Sequence, residues 1–195
     1  MNVGFMKRFV AYVVDIFIIS FLFSLITMNY SNYELEDYNQ ELDNIMSDYV
    51  NEKISVDEYL DHYESVTYHI AKSSVVTNCV YLVLCIGYFV VFQYLNKGQT
   101  IGKKLLHIKI VDKDGMNVRL RDLVIRTCII NEILPSILSS ILVFVCSKRI
   151  FFVGYSIISA IENVFILVSA VMVIYKSDGR GLHDIMAGTY VSYES

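Results

Sequence analysis

At 195 residues, with 55% hydrophobic side chains, a mean hydropathy of +0.49 and a single proline, the chain departs from ordinary soluble domains toward a membrane class. Its net charge of −4 divides into one acidic stretch and several basic ones, and the basic ones suit anionic lipid headgroups rather than nucleic acid. Cys79, Cys85, Cys128 and Cys146 all lie inside apolar runs without CxxC spacing or companion histidines, so neither a disulfide framework nor a zinc site is indicated.

The first predicted element is a transmembrane helix over residues 9–28, a run of about the 20 residues that cross a hydrocarbon core. It is longer than a signal-peptide core and has no small-residue cleavage site before Asn29, so it is expected to remain as a helix. Its one charge is Asp15, seven residues after Arg8 and hence on the same helical face, about 10 Å further along the axis. A carboxylate at that depth needs a protein-facing position and a partner.

Residues 29–73 carry eleven acids against Lys53 and Lys72. Ser31 with Glu34 and Ser55 with Glu58 fit the S-x-x-E capping box. Each is followed by apolar residues at three- and four-residue spacing, which predicts an acidic hairpin of two amphipathic helices. Their apolar faces either pack on each other or form a groove for a protein partner. Residues 75–95 form a second predicted span, and 96–121 a basic connector. Within the connector, Leu105–Val111 and Met116–Leu120 flank an Asp-Gly turn and predict a small β-hairpin. Gly98-Gln-Thr-Ile-Gly-Lys103 invites comparison with a phosphate-binding loop, but three residues rather than four separate its glycines and Lys104 stands where Ser or Thr belongs.

A third span, 122–146, is interrupted by Asn131, Glu132 and Pro135; the proline frees the carbonyl of Asn131 and predicts a kink there. A fourth, 151–175, holds Glu162 and Asn163 near its middle, and the polar tail 176–195 is too hydrophilic to cross. With the N-terminus in the cytoplasm, twelve of the sixteen lysines and arginines fall inside. Four spans with both termini cytoplasmic are therefore expected in a cell membrane, although Lys148 and Arg149 then sit on an outer turn. No span contains a GxxxG signature, so homo-oligomerisation is left open without a specific dimer face.

Asp15, Glu132 and Glu162, flanked by Asn131 and Asn163, are the candidate ion-binding or proton-relay residues. Asp15 and Glu132 lie at similar depths from Arg8 and Arg126 and are placed to meet. The equal alternative is a static network in which Arg8 or Arg126 neutralises Asp15. Asp184 is placed to meet Arg8, Lys103 or Lys104 and close the cytoplasmic mouth, as a structural clasp or as a gate. Serine, histidine and cysteine show no nucleophile–base spacing, so an enzyme is not expected, and no cofactor or metal site is indicated.

Arg8 and Asp15 on the first helix, Gly98-Gln-Thr-Ile-Gly-Lys103 after the second, and Gly181-Leu-His-Asp184-Ile-Met-Ala-Gly-Thr189-Tyr-Val191 at the end resemble the RDD family of small membrane proteins. The resemblance spans the chain except the acidic hairpin, which looks like an insertion in the first loop. It implies a membrane bundle, with Arg8, Asp15 and Asp184 as the family residues, and suspected ligand transport, with cation/proton exchange proposed for some members. The expected fold is thus all-α: a four-helix transmembrane bundle with an extracytoplasmic acidic helical hairpin and a small cytoplasmic β-hairpin. The expected activity is secondary transport or cation/proton exchange; the alternative is a non-transporting scaffold that presents the acidic hairpin to a partner.

Overall fold

The computed structural model describes residues 3–28, 30, 33–131 and 133–194. It is mostly helical, with three helices or helical segments long and apolar enough to cross a membrane: Phe5–Thr27 (α1), Val75–Leu95 and Lys148–Tyr175 (α9). Counted as one span, the bent pair Leu120–Ile130 (α7) and Ile133–Val145 (α8), whose axes differ by 67°, makes a fourth. The second segment is α4 (Val75–Ile86), a π-helical stretch (Gly87–Phe92) and α5 (Gln93–Leu95). Many of the large apolar side chains on these helices face outward, as on helices whose solvent is lipid.

The predicted kink in the third span is a full break. Asn131 ends α7 outside helical dihedrals, and Pro135 sits in the first turn of α8, where its missing donor costs nothing. The Lys148–Arg149 pair belongs to the first turn of α9, and Lys148 Nζ donates to Ser65 Oγ at 2.8 Å, tying that helix to the hairpin.

The hairpin is α2 (Tyr33–Val50) and α3 (Val56–Ser73). The Ser55–Glu58 box closes in both directions, with Ser55 N–H donating to Glu58 Oε2 at 2.9 Å and Glu58 N–H to Ser55 Oγ at 3.2 Å; Ser31 of the first box lies outside the described residues. The apolar seam is filled by its own rings: Tyr38 stacks on His69, and Tyr49 on Tyr59, at centroid distances of 5.0 and 4.6 Å. Tyr68 then donates to the Val143 carbonyl at 2.8 Å, fixing the hairpin on the end of α8.

At the other end lies a two-stranded antiparallel sheet, and here the sequence expectation is corrected. Strand β1 (Ile108–Asp112) pairs with β2 (Thr189–Tyr193) at the C-terminus, Ile110 opposite Val191, rather than with the residues after the Asp-Gly turn. The turn does form, with Asp112 Oδ1 accepting the N–H groups of Asp114 and Met116, but the local pairing stops at one bridge, Val111 to Asn117. Beyond it Arg119 becomes the N-cap of α7, which recruits Leu120 into the helix. Strand β2 instead offers Val191, which is buried with Ile108, Ile110 and Leu123 in a core that a local hairpin could not assemble. The short helices α6 (Ile101–Leu105) and α10 (Leu182–Ala187) flank this sheet.

Candidate functional site

Asp15 is fully buried, and among the described residues its hydrogen bonds come from the second span, the loop after it and α6. Tyr88 Oη donates to Oδ1 at 2.7 Å, Thr100 Oγ1 to Oδ2 at 2.5 Å, and the Gly102 N–H to Oδ1 at 2.7 Å. Lys103 Nζ stands 3.8 Å from Oδ2. The Gly-Gln-Thr-Ile-Gly-Lys stretch is therefore an anion cradle of another kind: its anion is the chain's own carboxylate, seated at the N-terminus of α6. Gly98, at φ +89°, turns the chain so closely over β1 that a Cβ there would lie 2.2 Å from the Ile110 carbonyl oxygen. Gln99 donates to the Ile108 carbonyl at 3.2 Å, and Thr100 caps α6. The π-helical stretch brings Tyr88 round to Asp15; Tyr88 Oη also accepts the Ile101 N–H at 3.1 Å.

Asp184, also fully buried, is held by two arginines. Arg8 Nη1 donates to Oδ2 at 3.1 Å and Arg126 Nη1 to Oδ1, while the Gly181 N–H closes the first turn of α10 onto Oδ2 at 3.1 Å. Arg126 also donates to Thr189 Oγ1, and Arg180 Nε to the Thr189 carbonyl, so α1, α7, α10 and β2 meet at one carboxylate. His183 bonds to Ser169 of α9; burial and the nearby Arg126, Arg8 and Lys103 push its pKa well down and keep the ring neutral.

These contacts revise the charge pairing expected from sequence. Asp15 is neutralised by Lys103, not by Arg8 or Arg126, and Asp184 takes Arg8, one of its expected partners, together with Arg126 in place of Lys103 or Lys104. Helix α6 explains the exchange: packed against α1, it delivers Lys103 beside Asp15 and leaves Arg8, two turns earlier, to the C-terminal segment. Asn131 is buried and accepts from Tyr12 Oη at 3.1 Å. Glu132 lies outside the described residues, so its meeting with Asp15 does too. Asn163 is exposed and folded back onto Ser159 by a 2.8 Å bond to its carbonyl.

Glu162 stands elsewhere, in a chamber of about 420 Å³ at the hairpin end. Hydroxyls and amides line much of it: Ser20 of α1, Thr77 and Asn78 of α4, Ser136 and Ser140 of α8, and Ser159 of α9. Asn78 Nδ2 donates to Ser140 Oγ at 2.9 Å across this wall. A second pocket, of about 320 Å³, lies at the sheet end and is bounded by Arg8, Tyr12, Lys103, Arg126, Asn131 and His183 among apolar side chains. Between the two, an apolar layer is built from Ile19, Leu82, Cys85, Phe89 and Ile133. The order is the same along three elements: on α1 Tyr12, Ile19, Ser20; on the second span Gln93, Cys85, Asn78; along α7 and α8 Asn131, Ile133, Ser136.

Asp15 and Asp184 thus occupy paired, buried positions at one end of a layered helical bundle, with Arg8 half-buried against Asp184. A match to the RDD family covers residues 3–188 of the chain. The chain belongs to the RDD family. No curated protein and no solved structure gives a significant match. In this RDD protein Asp15 and Asp184 each sit at the centre of a hydrogen-bond network, and the residues that complete these networks include Tyr88, Thr100, Gly102, Arg126 and Gly181 from separated segments. The serines of α8 did leave a sequence signal, since Ser136, Ser139 and Ser140 recur at helical spacing inside an apolar run.

Proposed function

We propose that this RDD protein is a four-span protein of the cell membrane, termini inside, that exchanges a small cation for a proton through Glu162. The sheet end, rich in lysine and arginine, is cytoplasmic and the acidic hairpin faces outward. Two polar compartments stacked on either side of an apolar layer are what alternating access requires: one site region open to one side while the other end is held shut. From Tyr12 to Ser20 the separation along α1 is about 12 Å, a distance that small rearrangements of packed helices can bridge.

The observation that carries this reading is the position of Glu162 among hydroxyl and amide oxygens in the hairpin-end chamber. A carboxylate with oxygen neighbours holds a proton or a hard cation but not both, and that competition is the basis of exchange. Asp15 and Asp184, whose oxygens are engaged by protein donors, act as the closures of the cytoplasmic end. The scaffold alternative draws less support, because the apolar seam of the acidic hairpin is filled by its own aromatic rings.

Purified protein reconstituted in liposomes with an internal pH dye should show proton movement on addition of Na⁺, K⁺ or Li⁺, and Glu162→Gln should abolish it. Flux equal to that of empty vesicles, or undiminished flux in Glu162→Gln, would contradict the proposal.

A further inference from the structure

Among the described residues, the sheet-end pocket carries more positive than negative charge. Arg8, Lys103 and Arg126 line it, whereas the carboxylates against them are Asp15 and Asp184, so three cations face two anions. His183 adds no charge. Within the Arg8 guanidinium, Nε donates to the Val3 carbonyl and Nη1 to Asp184, but Nη2 is buried without a hydrogen-bond partner. Arg180 adds a further cation beside Asp184, and Asp178, whose charge acts on Arg8, is itself paired with Lys176 at 3.3 Å. A buried surplus of positive charge is costly unless an anion completes it.

Tyr12, Gln93, Thr127, Asn131 and Ser169 share the lining, and much of the rest is apolar and lies on α1 and α9, whose outer faces are apolar too. Phe5 and Phe9 of α1 stack at 5.9 Å, and Ile166, Ala170 and Val173 of α9 stand opposite. Phe9 and Ile166 are exposed, so the pocket borders the surface where acyl chains pack. A cationic head region joined to an apolar cleft at the cytoplasmic membrane level matches one occupant by charge and polarity together. We propose that this pocket binds an anionic phospholipid of the inner leaflet, its phosphate among Arg8, Lys103 and Arg126 and one acyl chain between α1 and α9. This does not depend on Glu162 or on ion exchange.

The test is native mass spectrometry of the full chain in detergent, titrated separately with dioleoyl phosphatidylglycerol, dioleoyl phosphatidylcholine, oleate and inorganic phosphate. Phosphatidylglycerol should be retained about tenfold more tightly than phosphatidylcholine. Arg8→Gln should remove that preference, but it also strips Asp184 of a partner; Ala170→Phe fills the acyl cleft without touching the charges and should weaken phosphatidylglycerol about tenfold while leaving inorganic phosphate unchanged. Equal retention of the two phospholipids, tighter binding of oleate or free phosphate than of phosphatidylglycerol, or unaltered retention in Ala170→Phe would overturn the proposal. Glu162→Gln should retain lipid like the parent chain, which separates this result from the transport measurement.

Discussion

The backbone N–H of Gly102 donates to Asp15 Oδ1 at 2.7 Å, and the closeness that makes this bond leaves no room for a side chain at position 102. A Cβ there would lie 2.2 Å from the Ala11 carbonyl oxygen and 2.8 Å from Asp15 Oδ1. Helix α6 is thereby pressed directly onto the backbone of α1. Gly102→Ala must push the two apart, and overpacking of this kind costs about 1–3 kcal/mol. Thermal unfolding in detergent should show the loss, whereas Gly154→Ala, whose added Cβ would meet only Leu142 Cδ1 at 3.8 Å, should be close to neutral.

Asp15→Asn should be more damaging than its small change of shape suggests. It leaves the Lys103 ammonium buried without its carboxylate, and breaking a buried pair in this way costs about 3–5 kcal/mol. Lys103→Met in the same chain removes the stranded charge. The double variant should therefore be more stable than Asp15→Asn alone, and additive losses in a double-mutant cycle would show that the two residues do not act as a pair.

Burial holds the Lys103 ammonium at a pKa of about 8, below the usual 10.5, with Asp15 opposing the shift. The folded state thus binds fewer protons at this site than the unfolded chain between those two values. Stability contributed by the site should rise with pH across that interval, and the cost of charging Lys103 is fully present below it. Unfolding midpoints measured from pH 7.5 to 10.5 should climb more steeply in the parent chain than in Lys103→Met.

The membrane helices were legible because length and apolar content alone define them, and Asp15 and Asp184 stood out as charges in apolar or motif surroundings. The partner of Asp15 was not legible, and of the two arginines on Asp184 only Arg8 was expected. Arg8 shares a helical face with Asp15, so periodicity pairs them, yet Lys103 wins because α6 packs across α1, a tertiary fact with no local signature. The strand pairing failed for a related reason: the Asp-Gly turn forms, but Val191, nearly eighty residues away, supplies the apolar partner that Met116 and Asn117 do not. The hairpin-end chamber was half visible, in Glu162 and in the helical spacing of the α8 serines, while Ser20, Thr77 and Ser159, which complete its lining, are isolated residues on other helices.

The central claim is that a polar chamber reaches Glu162 from the hairpin side and ends at an apolar layer. Single cysteines at Ser159 and Ile19, introduced into a chain whose own four cysteines are replaced by alanine, test it with a membrane-impermeant thiol reagent applied from outside. Ser159→Cys should be labelled, more slowly in the presence of whichever of Na⁺, K⁺ or Li⁺ moves protons in the liposome measurement, and Ile19→Cys should remain unreactive. An inert Ser159→Cys, or equal labelling at both positions, would contradict the account.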